Sequence, residues 1–541
     1  IEGGIYSHYG LAEGIKHTLS LYPSASSLEN VGLLLNIDGV SLSVSSKSCL
    51  WPIMCSVADI PNSVPFSVPF IVGCYHGYSK PNSVDEYLSE LIPELEELLE
   101  NGLIINGRKL QISLKAFVCD APARAFLLGI KSHTGYSCCG KCKVRGEYIK
   151  GRVSLRGVLH EPRTNDDFRR KNDSTHNISD TPLVKLPLDM VVQFLFEYMH
   201  LVCLGVTRKL IILWIRGHLE CRITPSTMKH VSASLKALAG FIPCEFARRP
   251  RALEEIDRWK ATELRQFLLY TGPVVLSSVL DKKYFQHFLL LHVSVRLLVG
   301  AKTCAQSQLR SYAGALLKRF VRFFGDLYGD EQYSYNVHGL LHLVDDSATF
   351  GSLDNVSAFQ FENYFHRMKG FISQGNLPLQ QLSRRLHEMK ENGTLGCRSS
   401  VREAQATGTY VLTDEHTDGP VILPPSAQFR KATFSGFTLA LKTYNNVCII
   451  SGSVVQVQNI VKDNDGCNMI IGQKFENKKS LYDFPCSSTK IDVYAVSGLS
   501  DTMQWPLESV ACKCVLLPLK QNSFAVLPLI HSNEFPEHED L

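Results

Sequence analysis

Cysteine is thinly spread in this chain, with 17 in 541 residues. That is about 3%, well below the density of a secreted disulfide scaffold, and the scatter suits reduced thiols in a nuclear or cytosolic compartment. A strong charge imbalance is also lacking. Lys and Arg number 56 against 52 Asp and Glu, a net +4, which permits a polyanionic partner without demanding one. Long apolar runs are missing too. The most apolar window, Tyr284 to Ala301, is broken by Gln286, His287, His292, Ser294 and Arg296. Those residues would be costly in lipid, so the window reads as a buried helix and no membrane partner is expected. No internal repeat or long low-complexity tract is present. The opening Ile1-Glu2-Gly3-Gly4 has neither an initiator Met nor a charged stretch ahead of an apolar one. No signal peptide is visible, and the chain is expected to be a fragment or an incomplete gene model, with room for an upstream domain.

What is present is 45% apolar and 20% charged, the composition of a soluble globular protein with more than one core. Four segments are expected. Residues 1–150 carry β-rich runs over 33–46 and 66–73 and a helix over roughly 83–101. That helix places Tyr87, Leu88, Leu91, Ile92, Leu95, Leu98 and Leu99 at three- and four-residue spacing before a stop at Asn101-Gly102. A strand over 110–119 follows. Strands, a helix and a further strand make the first half of an RNase H-like α/β layer. Residues 151–335 begin as a polar, turn-rich connection and continue as helices, an all-α insertion into that layer. Residues 336–404 complete the α/β layer. From 405 to 541, short β segments separated by Asn445-Asn446 and Asp463-Asn464-Asp465-Gly466 form a small β-rich C-terminal domain, a barrel.

The chemistry lies at strand ends. Asp38 closes the run Gly32 to Asp38, and Asp120 closes Leu110 to Asp120. In the expected layer these ends lie side by side, and with Glu362 they would supply three hard oxygen ligands for Mg²⁺ or Mn²⁺, two such ions sufficing for phosphodiester chemistry. The plainer alternative is that Asp38-Gly39 is a turn and Asp120 a helix cap ahead of Ala121-Pro122. Cys139-Gly140-Lys141-Cys142 and the helix-compatible pair His338 and His342 offer two thiolates and two imidazoles, a closed structural Zn²⁺ set, with a buried thiol pair and two core histidines as the alternative. Cys138 could enter in a wrong register. His200 follows Glu197 by one turn and could donate to a scissile phosphate, or be a core histidine. Arg248-Arg249-Pro250-Arg251 and Arg384-Arg385 are candidate phosphate contacts. Cys512-Lys513-Cys514 is too tight for a metal site.

The strings Leu35-Asn36-Ile37-Asp38-Gly39, Cys119-Asp120-Ala121-Pro122-Ala123-Arg124, Gly135-Tyr136 with Cys139-Gly140-Lys141-Cys142, Tyr198-Met199-His200-Leu201, Asn336-Val337-His338 with His342, and Phe361-Glu362-Asn363 resemble transposase-derived proteins of the CACTA/Mirage/Chapaev group of DDE transposases. The layout over roughly 5–400 is also similar to the catalytic core of the V(D)J recombinase and Transib transposases. The resemblance implies Asp38, Asp120 and Glu362 as the divalent-metal triad with two Mg²⁺ or Mn²⁺ ions. It implies Cys139, Cys142, His338 and His342 as zinc ligands, and His200 as the histidine near the scissile phosphate. It further implies transposon-end and target DNA as partners, a homo-oligomer of at least two chains, and a nuclear location. Where the family has Asp three residues before that histidine, this chain has Glu197. The expected activity is cleavage and joining of DNA ends. The alternatives are a catalytically inactive descendant that binds DNA or chromatin, and a zinc-stabilised interaction protein.

Overall fold

A computed structural model describes residues 1–22, 27–42, 47–58, 67–373, 375–392, 410–520 and 522–530. The fold is mixed α/β, with a sheet in the N-terminal part and a β-rich sheet in the C-terminal part. The chain forms two compact units, Ile1–Val202 with Phe324–Ser399, and Cys203–Phe323 with Ser400–Leu541. This division groups the helical middle with the C-terminal strands, where the sequence suggested separate segments. The boundary expected near 404 lies outside the described residues, as do Phe66 and residues 43–46 of the expected β runs.

The first unit is built on β1 (Gly4–His8), α1 (Leu11–Ser20), β2 (Asn30–Ile37), β3 (Val40–Ser41), β4 (Cys49–Ala58), β5 (Phe70–Gly77), α2 (Val84–Tyr87), α3 (Leu91–Asn101), β6 (Leu103–Ile105), β7 (Arg108–Phe117) and α4 (Ala121–Leu128). The sheet order is β1-β5-β4-β2-β7-β6, with β3 paired to β4. All neighbours are antiparallel except β2 and β7, which run parallel with Leu35 opposite Phe117. β2 is apolar on both faces because it is central and covered on both sides, and it is buried from Val31 to Ile37.

Two expectations shift by physical detail. The helix over 83–101 is two helices, since Pro93 has no N–H to continue the ladder and is tolerated only in a first turn. β5 begins at Phe70, after Pro69. β4 was not apparent because Pro52 falls inside it. Across from Pro52 the ladder is interrupted, between Ile37 opposite Ile53 and Val40 opposite Leu50, where the neighbour is the Asp38-Gly39 turn.

α3 buries Leu91, Ile92, Leu95 and Leu98. Its Glu94 reaches across to accept from the free N–H groups of Leu11 and Ala12 at 2.8 and 2.9 Å, capping α1 where Gly10 offers no side chain.

In the second unit the described elements between Cys203 and Phe323 are helical, among them Pro225–Ala237 and Lys282–Val299. No helix among the described residues is long and apolar enough to cross a membrane, and all but the last two residues of the Tyr284 to Ala301 window lie in the helix Lys282–Val299, largely buried. The C-terminal strands Val447–Ile450, Ser453–Lys462, Asn468–Ser480, Tyr494–Leu499, Val510–Pro518 and Phe524–Pro528 pair in a closed ring. Alternate residues of one strand feed two cores, Val447 and Ile449 one, Cys448 and Ile450 the other.

Candidate functional site

β2 and β7 end together because they are parallel neighbours that, past a register shift at Leu33/Leu34, pair Leu34 with Ala116 and Leu35 with Phe117. Val118 N–H donates to Leu35 O at 2.8 Å and Asn36 Nδ2 donates to Val118 O at 2.6 Å, tying the two chain exits. Asp38 and Asp120 follow directly. Asp38 Oδ1 accepts Gly39 N–H at 2.6 Å. The indole of Trp51 covers Gly39 so closely that a Cβ there would meet it at 2.9 Å, so this turn is a packed feature. Asp120 is the N-cap of α4, its Oδ1 accepting Ala123 N–H at 2.7 Å. The plainer reading of Asp120 therefore holds, and it leaves the second carboxylate oxygen for other work.

Glu362 sits in the first turn of helix Phe359–Lys369, whose buried Gln360 accepts from Ser56 of β4 at 3.2 Å. Asp38, His200 and Glu362 each bring one ligand atom into a set whose members all lie within 4.8 Å of one another. Asp120 does not join the set at that spacing, but its charge reaches it. Burial, then the Asp120 carboxylate, push Asp38 up to about 7, with Glu362 adding and His200 opposing. Glu362 is raised by burial against the pull of His200, with Glu197 and Asp120 adding. Such mutually raised carboxylates are relieved by a cation.

His200 is the second residue of a π-helical stretch, Met199–Thr207. Burial works against its charge, yet the hydrogen bond and charge of Glu197, with Asp38 and Asp120, hold it up at about 9. Glu197 is the organiser of this corner. Its buried carboxylate accepts four N–H groups: Met199 N and Ala358 N on Oε1 at 2.7 Å each, and His200 N and Nδ1 on Oε2 at 2.8 Å each. Ala358 is the N-cap of the Glu362 helix. One side chain thus fixes the His200 ring, with Nδ1 engaged and Nε2 left over, and anchors the helix bearing Glu362. Burial opposes the Glu197 charge, but these bonds hold its carboxyl below the usual range.

The Cys and His pairs meet as well. Cys139, Cys142, His338 and His342 form a second set within 4.8 Å. Cys142 Sγ lies 3.6 Å from Cys139 Sγ and 3.2 Å from His338 Nε2, Cys139 Sγ lies 3.4 Å from His342 Nε2, and the two Nε2 atoms are 3.3 Å apart. A tetrahedron built from zinc–sulfur bonds of about 2.3 Å and zinc–nitrogen bonds of about 2.0–2.1 Å has S–S, S–N and N–N edges of about 3.8, 3.6 and 3.3 Å. The residues therefore fit a zinc ion in donor chemistry and in size. Within the pair, burial opposes the Cys139 charge, but the Cys142 thiol and the two imidazoles hold Cys139 well below the usual thiol range, while Cys142 is raised as donor to it. Arg163 Nε donates to Cys139 O and Cys142 O at 2.9 and 3.1 Å, bracing the knuckle. Cys138 is buried outside the set.

Residues 415–529 match the family described as "Domain of unknown function (DUF8592)". No curated protein matches the chain. The matched stretch covers the C-terminal strands and leaves both side-chain sets outside it.

Of the other candidates, Arg249 and Arg251 are engaged within the second unit, while Arg384 and Arg385 are exposed on their helix. Arg249 lies over the Tyr444 ring and bonds Ile242 O, Arg251 pairs with Glu263 at 2.8 Å, and Arg384 and Arg385 pair with Glu388 at 2.9 and 3.3 Å. Lys513 is the outcome least legible beforehand. Fully buried, its Nζ donates to both oxygens of Glu245 at 2.9 and 2.7 Å, and to Thr438 O and Asn445 Oδ1 at 2.6 Å each.

Proposed function

We propose that the chain is a DDE-type transposase, or a protein derived from one, with an RNase H-like catalytic layer interrupted by an all-α insertion. It cleaves and joins DNA ends by two-metal phosphoryl transfer. The observation that carries this reading is the gathering of Asp38, His200 and Glu362 within 4.8 Å, with Asp120 on the adjoining parallel strand end. Asp38, Asp120 and Glu362 would hold Mg²⁺ or Mn²⁺, which supply an activated water and neutralise the leaving oxygen of a phosphodiester. His200, charged and oriented by Glu197, donates from Nε2 to a phosphate oxygen as negative charge builds there. Cys139, Cys142, His338 and His342 would hold a structural zinc, whose binding energy joins two distant stretches of chain.

The test is Mg²⁺- or Mn²⁺-dependent nicking of DNA carrying the terminal sequences that flank the chain's own coding region, using the protein at full genomic length. Asp38→Asn, Asp120→Asn and Glu362→Gln should each lower nicking by orders of magnitude while DNA binding persists. Asn caps helices about as well as Asp, so Asp120→Asn keeps α4 intact and isolates the chemistry. A protein that binds those ends yet never nicks them is instead an inactive, DNA-binding descendant. The position of Asp120 outside the tight set and the presence of Glu197 in place of Asp favour that second reading.

A further inference from the structure

We propose that the ribbon carrying the Cys139–Cys142 knuckle, residues 131–163, is a docking surface for the phosphate backbone of duplex DNA. The choice of DNA as the polyanion rests on the function proposed above; the surface itself rests on independent observations. Residues 131–163 hold eight Lys and Arg against Glu147 and Glu161 alone. That is a net +6 on this stretch, in a chain whose total is +4.

Four of the eight cations are spent inside the fold. Lys141 pairs with Asp346, Lys143 with Glu161 and Asp167, Arg156 with Glu147 and Asp330, and Arg163 with Asp173. The other four face outward. Lys131, Arg145 and Arg152 are exposed and make no ion pair among the described residues, Arg152 giving one hydrogen bond to Gln332 Oε1 at 3.3 Å. Lys150 reaches Glu331 only at 3.5 Å, with its side chain 68% exposed.

These cations follow one another along the ribbon. The stem of Lys131 lies on Gly135, where an added Cβ would meet it at 2.5 Å. The next residue, Tyr136, accepts Gly146 N–H at 2.7 Å, beside Arg145. Hairpin pairing then sets Tyr148 opposite Val153 and Ile149 opposite Arg152. Tyr136 and Tyr148 are 49% and 67% exposed. The hairpin puts Arg152 on the face of Ile149 and Tyr148 on the other, so the ribbon offers cations and exposed rings along its length, which suits a sugar-phosphate backbone that takes charge from Lys and Arg and contact from Tyr. Arg145, with Lys143 and Arg163, also lines a 340 Å³ cavity. The acids of that cavity, Asp167 and Asp173, are already neutralised by Lys143 and Arg163. It has room for a phosphate group. The knuckle and the Arg163 brace hold the ribbon in place, so little ordering is needed on binding.

The experiment is fluorescence anisotropy of the full chain on a random-sequence duplex, titrated from about 50 to 200 mM salt, with the slope of log affinity against log salt as readout. In Lys131→Gln/Arg145→Gln/Arg152→Gln the slope should shrink by about 2–3, since each lost phosphate contact removes about 0.9. Zinc content and melting temperature should not change, because all three side chains are exposed. The control Arg384→Gln/Arg385→Gln should keep the wild-type slope. An unchanged slope in the triple variant overturns the proposal, as does an equal loss in the control. So does polyglutamate competing as well as the duplex, which would make the ribbon a site for acidic peptides. If the triple variant loses DNA while the wild type never nicks, the surface stands and the transposase reading falls. If the wild type nicks and the triple variant binds and nicks unchanged, the reverse holds.

Discussion

Replacing Glu197 by Gln probes how the acid cluster is held together. The native carboxylate is buried and offers two oxygens to four N–H groups. A Gln side chain has one oxygen. Whichever way its amide turns, an NH₂ group faces two donors that previously had acceptors. If the oxygen stays with Met199 and Ala358, the backbone and ring N–H groups of His200 are orphaned. If it turns to His200, Met199 and the cap of the Glu362 helix are lost. A buried donor left without an acceptor costs about 1–3 kcal/mol, with bonds to a charged group at the upper end. Two such losses come to about 3–5 kcal/mol, a large share of the roughly 5–15 kcal/mol that holds an ordinary domain. The assay is urea unfolding of the first unit, followed by the fluorescence of Trp51, with hydrogen exchange at the His200 and Ala358 amides as the local report. We expect a lower midpoint and faster exchange at one of the two amides. Glu197→Asp should fall between, because its shorter arm cannot span both partners. A loss below about 1 kcal/mol in the Gln variant, with both amides still protected, would refute the account of Glu197 as the joint between His200 and the Glu362 helix.

The remaining predictions concern the rest of the chain. Purified protein should carry about one tightly held zinc, and Cys142→Ser should lower both zinc content and melting temperature; full retention of zinc would remove the assignment. Lys513→Met leaves the Glu245 carboxylate buried without its cation, with the Thr438 N–H still donating to it, so it should cost about 3–5 kcal/mol, whereas Lys513→Met/Glu245→Leu should recover most of that. Equal losses in the single and double variants would show that the ion pair is not the cause. The second unit should weaken in acid. Burial pulls His292 down to about 3, with Arg296 adding, and burial pulls His287 down to about 4. Both folded values lie below the unfolded value near 6.5, so the unfolded state takes up protons first and stability is lost as pH falls from about 6.5 toward 4. A urea midpoint for the second unit that is flat between pH 7 and pH 5 would contradict this.

Much of the site was legible because its logic is local or topological. Asp38 and Asp120 each end an apolar run, and parallel neighbours bring such ends together. The C-x2-C and H-x3-H spacings carry their own geometry. The position of Glu197 was legible only as a departure from an expected Asp. Its fourth partner, Ala358, is 161 residues away, and no pattern near Glu197 points there. β4 was hidden by Pro52, which breaks the usual rule against proline in a central strand because it sits at a gap in the ladder. The ring closure of the C-terminal strands was hidden for another reason. Asn468–Ser480 serves two sets of partners along its length, Ser453–Lys462 and Met503–Pro506 with its first half and Tyr494–Leu499 mainly with its second, and alternation of residue type does not reveal a strand that changes neighbours. Lys513 read as a residue between two cysteines. Its meaning lies in Glu245, 268 residues earlier.

The acidic residues leave the ribosome in sequence order, and the parallel pairing of β2 with β7 lets the first two align long before the third is made. Asp38 and Asp120 can stand side by side once α4 has emerged, but Glu362 comes 242 residues after Asp120. At translation speeds of about 5–20 residues per second, the nascent protein spends roughly 10–50 s with two of its acids assembled and the third not yet made. His342, the last of the knuckle partners, precedes Glu362 by only 20 residues. The clamp and the final acid are therefore delivered almost together, late in synthesis. A truncated product ending anywhere in the helical middle would carry two aligned carboxylates and an unclosed thiol pair, with neither side-chain set complete.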